Sequence, residues 1–140
     1  MSRTLIDQSL INKLATGDAS STSSTATSSL SFVDTALFAS ITPKFATNRV
    51  RVIVSTVCNI STTERATYGI SRNGSDLQAA GMSELAGNAN FSTSISFSYI
   101  DSPASTSTLT YRLRIKSTIG TTVTDNPQNN FASIRLEEII

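Results

Sequence analysis

The segment Phe91-Ser-Thr-Ser-Ile-Ser-Phe-Ser-Tyr-Ile-Asp101 alternates between large and small hydroxyl side chains over nearly its whole length. Successive side chains of a β-strand point to opposite faces, so this period of two predicts a strand with one buried and one wet face. The predicted buried face comprises Phe91, Thr93, Ile95, Phe97 and Tyr99, and the wet face comprises Ser92, Ser94, Ser96 and Ser98. A half-wet strand is typical of an antiparallel sheet in a sandwich and not of a doubly wound parallel sheet.

Two further segments show the same period. In 109–116, Leu109, Tyr111, Leu113 and Ile115 alternate with Thr110, Arg112, Arg114 and Lys116. In 49–58, Val50, Val52, Val54 and Cys58 face one side, and Arg49, Arg51 and Ser55 face the other. Weaker candidate strands cover 30–42, 65–72, 120–125 and 131–139. Residues 76–88 are rich in Ala and Gly without this period, which predicts a long loop or a single helical turn.

Turn signals separate the candidate strands, namely Thr42-Pro43, Asn73-Gly74, Asp101-Ser-Pro103 and Asp125-Asn-Pro127. About seven or eight strands in a domain of this size is the density of a β-sandwich or a jelly roll. The sequence therefore predicts an all-β fold: an antiparallel β-sandwich or jelly roll over 30–140, preceded by an N-terminal arm over 1–29.

The arm divides into two parts. Residues 3–16 match a short amphipathic helix, with Thr4 and Asp7 in capping-box spacing and Gly17 at its end. Its apolar face, the candidate anchoring residues, comprises Leu5, Ile6, Leu10, Ile11 and Leu14. Such a short helix needs a surface to lie on, which is either its own domain or another subunit, and otherwise it frays. Residues 18–29 are almost entirely small and polar, which predicts a flexible or extended linker.

Composition excludes many function classes. The 140 residues contain 11 Lys or Arg, 10 Asp or Glu, one Cys and no His, for a net charge of +1. A chain without His has no Ser-His-Asp triad, and one Cys supports neither an intrachain disulfide nor a Cys-based zinc site. We therefore expect no cofactor and no metal. The first residues, through Asp7, lack a signal-peptide pattern and no segment has the length of a membrane span, so we expect synthesis in a cytoplasm and no membrane insertion.

Five basic residues lie on the wet faces of candidate strands: Arg49, Arg51, Arg112, Arg114 and Lys116. If their strands are neighbours, these side chains form a basic stripe able to bind phosphate, sulfate or an acidic glycan. The alternative, which we favour, is that they solvate an outer face and pair with Glu64, Glu137 and Glu138. The aromatic residues fall on the apolar faces rather than among the basic ones, which argues against nucleic-acid binding.

Catalysis has no candidate residues. Cys58 lies among apolar, β-branched neighbours, so we expect a buried free thiol rather than an intermolecular disulfide. Asp34, Asp76, Asp101 and Asp125 are scattered near turn signals, where such residues usually cap their own backbone. The three lysines show no Ser-x-x-Lys spacing that would activate a serine.

The order of several short motifs resembles a domain of virion surface proteins of tailed bacteriophages, found in capsid decoration (cement) proteins and tail-fibre heads. These motifs are Ser40–Lys44, Asn48–Val54, Tyr99–Pro103, Leu109–Ile115 and Ala132–Ile139, and the resemblance covers roughly 30–140. It implies a jelly-roll-like sandwich without catalytic activity, often assembled as a homotrimer on the virion exterior. It implies no role for any particular residue of this chain.

About 29 residues precede the predicted sandwich, too few for a fibre shaft, so the resemblance favours a decoration protein whose partners are itself and the major capsid protein. The alternative is a short tail-fibre or baseplate-attached receptor-binding head, whose partners are tail or baseplate proteins and a host surface glycan. In that alternative, the loops 73–90 and 101–108 are the expected contact regions. A glycan-hydrolysing enzyme would need two suitably placed carboxylates.

Overall fold

The computed structural model describes residues 14–88 and 90–140, and these residues form eleven β-strands and no helix. The strands are β1 (Thr16–Ser21), β2 (Thr25–Thr27), β3 (Val33–Ile41), β4 (Arg49–Ile60), β5 (Glu64–Arg72), β6 (Ser75–Asp76), β7 (Ser83–Gly87), β8 (Phe91–Asp101), β9 (Leu109–Ser117), β10 (Val123–Asp125) and β11 (Ala132–Ile139). Within this part of the chain, no helix is long and apolar enough to cross a membrane.

The strands form two antiparallel sheets. In the first sheet, β4 pairs with β8 on one side and with both β11 and β10 on the other. In turn, β11 pairs with β1, and β10 pairs with β2. In the second sheet the order is β3, β9, β5, with β6 and β7 both beside β5. Each sheet is therefore four strand positions wide. Three of the eight positions each hold two short strands, namely β1 with β2, β10 with β11, and β6 with β7.

The pairing is nested around one tight turn. Asn73 and Gly74 both have positive φ, 50° and 85°, as a two-residue hairpin turn of type I′ requires. From this turn outward, β5 pairs with β6 and β7, β4 with β8, β3 with β9, and the β1–β2 segment with β10 and β11. Strands that are paired first with last, second with second-to-last, and so on inward form a jelly roll. The fold expected from the sequence is confirmed.

The core lies between the two sheets and consists of the side chains that the alternation assigns inward. Its largest fully buried members are Tyr68, Tyr111, Leu37, Ile60, Ile70, Leu113, Ile115, Ile134, Leu136, Val50, Val52 and Val54. The outward residues of β9, by contrast, stay partly exposed, so buried and partly exposed residues alternate without a break from Leu109 to Ser117. The period of two thus predicted both the strand and its orientation.

The structure confirms the seven candidate strands and corrects the interpretation of 76–88. Residues there form β7 (Ser83–Gly87), with Leu85 directed into the sandwich beside Ala66 of β5. The pairing of β5 with β7 runs from Glu64↔Gly87 to Tyr68↔Ser83. The segment is short and contains only one large apolar residue, so its period was too weak to recognise in the sequence.

The prediction of a linker over 18–29 is wrong for β1 and β2, and the sandwich therefore begins at Thr16 rather than near Leu30. Backbone hydrogen bonds to β11 hold β1 in register from Thr16↔Glu137 to Ser21↔Ala132, and they need no large side chain. Most of the predicted helix over 3–16 lies outside the described residues. Its last residues, Leu14 to Thr16, are a bend, an irregular residue and the start of β1, so the helix prediction is wrong there.

Gly17 allows β1 to close the sandwich against β3. A methyl group on Gly17 would overlap the carbonyl oxygen of Ser40 in β3. We predict that Gly17→Ala lowers the unfolding free energy by about 1–3 kcal/mol, because a backbone contact cannot yield as a flexible side chain does. Urea unfolding measures the change. The control Ser20→Ala changes an exposed residue of the same strand and should stay within about 0.5 kcal/mol of the wild type; equal stabilities of the two variants would contradict the placement of β1.

Candidate functional surfaces

Neither a group of metal-binding side chains nor a reactive cysteine is present among the described residues. Residues 14–88 and 90–140 include no group of three His, Cys, Asp or Glu side chains that could hold a metal ion. Cys58 is fully buried and unpaired, as expected, and burial raises the pKa of its thiol to about 11. A thiol in that state is a poor nucleophile.

The five candidate basic residues do not form one stripe. Arg49 and Arg51 lie on β4 in the first sheet, whereas Arg112, Arg114 and Lys116 lie on β9 in the second, so the two groups occupy opposite outer faces.

Local partners occupy most of these basic side chains. Arg51 lies 3.5 Å from Glu137. Arg114 binds Asp34 at 2.6 Å and Asp76 at 2.8 Å. Arg112 and Lys116 lie over the rings of Phe38 and Phe32. This arrangement agrees with the prediction that the basic residues solvate an outer face and pair with acids. Glu137 is one of the expected acids, but Asp34 and Asp76 are the partners where Glu64 and Glu138 were expected.

Glu138, one of those expected acids, instead fixes the place where the N-terminal segment enters the sandwich. Its carboxylate accepts the backbone N–H of Ala15 at 2.8 Å, of Lys44 at 2.9 Å and of Phe45 at 3.1 Å, and the side-chain amide of Asn48 at 3.0 Å. Burial raises the pKa of Glu138, but these hydrogen bonds outweigh it and hold the pKa below its usual value. We call this end, with Ala15, the loop 42–48 and Ile140, the arm end.

Of the candidate anchoring residues, Leu5, Ile6, Leu10 and Ile11 lie outside the described residues. Leu14 is half-buried at the arm end, directly before the Ala15 amide that Glu138 binds. The chain up to residue 13 therefore joins the head at a fixed point.

Glu64 organises the opposite end, which we call the loop end and which comprises the loops 28–32, 61–63 and 118–122. Its carboxylate accepts the backbone N–H groups of Thr118 at 2.9 Å and of Ile119 at 3.0 Å, and also the hydroxyl of Thr121. Burial raises the pKa of Glu64, but the hydrogen bonds, that from Thr121 first, lower it to about 2. A pocket of about 570 Å³ opens here beside Ile119, which is 65% exposed.

Charge is distributed unequally between the outer faces of the two sheets. The second sheet carries Asp34, Arg65, Asp76, Glu84, Arg112, Arg114 and Lys116 on its outside. On the first sheet, the outward charged residues of the strands are Asp18, Arg49, Arg51, Arg135 and Glu137, all toward the arm end. The remaining outward residues of β4 and β8 form an uncharged surface that we call the serine face: Ile53, Ser55, Val57, Asn59, Ser92, Ser94, Ser96, Ser98 and Ile100.

The sandwich is less tightly closed beside β8 than beside β1. Phe97 and Tyr99 of β8 point inward yet are only half-buried, and so are Leu77 and Leu85 from the segment that ends in β7. We call this half-exposed apolar strip the open side. It meets the serine face along β8. The sequence predicted the inward residues of β8 but not their exposure, because exposure depends on which strand is at the edge of the sheet.

Asp125 lies in the core between the sheets, with 2% of its surface exposed. Its carboxylate accepts hydrogen bonds from the Thr56 hydroxyl at 2.8 Å and the Tyr68 hydroxyl at 3.2 Å. Burial raises the pKa of Asp125 to about 6, although both hydrogen bonds favour the ionised form. Nothing in the sequence distinguished this residue from the turn-capping acids.

We predict that Asp125 makes the protein less stable as pH rises. Its folded-state pKa is above the unfolded value, so its stabilising contribution is complete below about pH 4 and is lost as pH rises through 6. The shift corresponds to about 3 kcal/mol. Between pH 4.5 and 7, the unfolding free energy of the wild type should fall relative to that of Asp125→Asn, measured by urea unfolding. Parallel pH profiles of the two proteins would contradict a protonated core carboxyl.

Comparison with known proteins shows the fold. No family model matches the chain, and no curated protein matches it. The chain is similar to a chain from the crystal structure of the T13 IBDV viral particle, with a TM-score of 0.53 and 8% identity; the match covers 87% of this chain and 31% of that one. It is also similar to Eiger TNF from S. frugiperda, with a TM-score of 0.50 and 13% identity over 91% of this chain and 92% of that one. Vertex protein P5 of PRD1 matches with a TM-score of 0.44 and 13% identity over 91% and 98%.

Proposed function

We propose that this protein is a non-enzymatic structural component of a bacteriophage virion, a decoration (cement) protein that binds the exterior of the assembled capsid as a homotrimer. The major capsid protein is its partner in this proposal. The observation that carries the proposal is the junction at the arm end, where Glu138 accepts the N–H of Ala15 and so fixes the point at which the N-terminal segment joins the head.

That junction suits a protein that links neighbouring subunits of a shell. Residues 1–13 span at most about 45 Å when extended, and in this proposal they contact the shell beside the head. The apolar residues Leu5, Ile6, Leu10 and Ile11 give this segment something to bury there. Binding to the assembled shell and not to free capsid subunits stabilises the shell by mass action.

The fold and the chemistry of the head support the same role. The IBDV match is to a chain of a viral particle, and the motifs quoted above resemble phage surface proteins. The four buried carboxylates of the described residues, Glu64, Asp101, Asp125 and Glu138, are engaged in hydrogen bonds that hold the fold. A head of this kind serves as a rigid block, and specificity for the shell resides in the arm.

We predict that deleting residues 2–13 abolishes binding to capsids and leaves the head folded, because β1 begins only at Thr16. A longer deletion that removed β1 and β2 would unfold part of the first sheet and would not be informative. Co-sedimentation with capsids that lack the protein measures binding, and circular dichroism checks the fold. The control variant Ile119→Ser alters the loop end and should bind as the wild type does. Undiminished binding of the truncated protein would contradict the proposal.

A second candidate function, a receptor-binding head on a short tail fibre or baseplate, is favoured by the loop end. Leu30 and Ile119 are 63% and 65% exposed at this end of the sandwich, opposite the arm end, and Ile119 lines the pocket next to Glu64. In this case Ile119→Ser should reduce adsorption of particles to host cells, while their heat resistance stays unchanged. Phage adsorption assays with particles carrying the variant distinguish the two functions, since Ile119→Ser in a decoration protein should change neither adsorption nor heat resistance.

A further inference from the structure

Strand β8 is a sheet edge that lacks the usual protection against pairing with another chain. Natural edge strands are kept from such contacts by interruptions, bulges, charges or Pro. Of the other edges, β1 and β2 are separated by residues 22–24, β6 and β7 by residues 77–82, and β3 has an irregularity between Asp34 and Phe38. β8 runs without a break for 11 residues, has no charge before Asp101, and has no partner strand on its outer side among the described residues.

The surfaces that meet along β8 are large enough for a stable interface. Eleven residues of strand span about 36 Å, and two packed sheets are about 10 Å apart, so the open side covers roughly 360 Å². The strip of the serine face on β8 and β4 is two strand spacings wide and adds about the same area. A copy that uses each surface in a separate contact contributes about 350 Å² to each contact and buries about 700 Å² in all, so a ring of three copies buries about 2,100 Å².

The chemistry of this surface indicates what covers it. The serine face carries no charge, and the open side adds Phe97, Tyr99, Leu77 and Leu85. An acidic glycan, a nucleic acid or an anionic lipid would gain no Coulomb attraction here, whereas depletion of charge and enrichment in aromatic residues are typical of the core of a protein interface. An identical uncharged surface meets no electrostatic penalty from its copy.

We propose that the serine face and the open side form the contact between copies of this chain, with the open side of one copy packed on the serine face of the next. Because the two surfaces of one copy differ and adjoin, each copy has one of each kind to offer. Such head-to-tail contacts close into a ring of three copies when each copy is rotated by a third of a turn from the last. A ring of three copies places every β8 inside the assembly. This inference rests on the homotrimer of the proposed function and assigns its interface.

Ser96 is the residue with which to test the assignment. It is exposed in the middle of β8 and pairs with Ser55, so a lysine there points out of the sheet and leaves the core untouched. Ser96→Lys should convert the full-length protein from trimer to monomer at the same concentration, because burying an unpaired ammonium group is costly. Ser94→Glu places the opposite charge on the same strip and should have the same effect.

Sedimentation velocity gives the mass, and urea unfolding at low protein concentration shows that each variant is folded. The control Ser40→Lys puts the same charge on an exposed position of β3, on the outer face of the second sheet, and should remain trimeric. A trimer that persists in both Ser96→Lys and Ser94→Glu would overturn the interface while leaving the homotrimer intact. A wild type that is monomeric at about 100 µM yet binds capsids would overturn the inference without affecting the decoration function.

Discussion

Strand β4 is the element on which the rest of the sandwich depends, because it is paired along both of its sides. Every residue from Val50 to Ile60 has a partner on β8, and β11 and β10 share the opposite side. Its inward side chains Val50, Val52 and Val54 form the middle of the core. Since β4 leaves β8 as the outermost strand on one side, the position of β4 also determines which surface of the protein is available to a partner.

Buried polar groups join the two sheets on both sides of the apolar core. Toward the arm end, Asp101 of β8 accepts hydrogen bonds from Tyr111 of β9 and Arg72 of β5, both at 2.7 Å. Toward the loop end, Asp125 of β10 accepts one from Tyr68 of β5. A buried carboxylate without such partners would be strongly unfavourable, so these contacts fix how one sheet lies on the other. A block aligned in this way suits a subunit that transmits load and does not change shape.

The alternating residues of β4, β8 and β9 were sufficient to predict the strands, their inward faces and an antiparallel sandwich, because the period of two is a local property of the chain. The strands β1, β2, β6 and β7 were missed, because backbone pairing holds them and their side chains are mostly small. The separation of Arg49 and Arg51 from Arg112 and Arg114 also could not be predicted, since it depends on which strands are neighbours. The roles of Glu64 and Glu138 depend on loops that are distant in sequence, so no local pattern marks them.

We propose a passive head that is fastened through its N-terminal segment and joined to its copies through β8. A cryo-electron microscopy map of virions that contain this chain tests it most directly. The account predicts density for the sandwich on the outer surface of the capsid, in groups of three, with the arm end toward the shell and β8 facing a neighbouring copy. A map that showed single heads on the tail, with the arm end outward and β8 exposed to solvent, would contradict it.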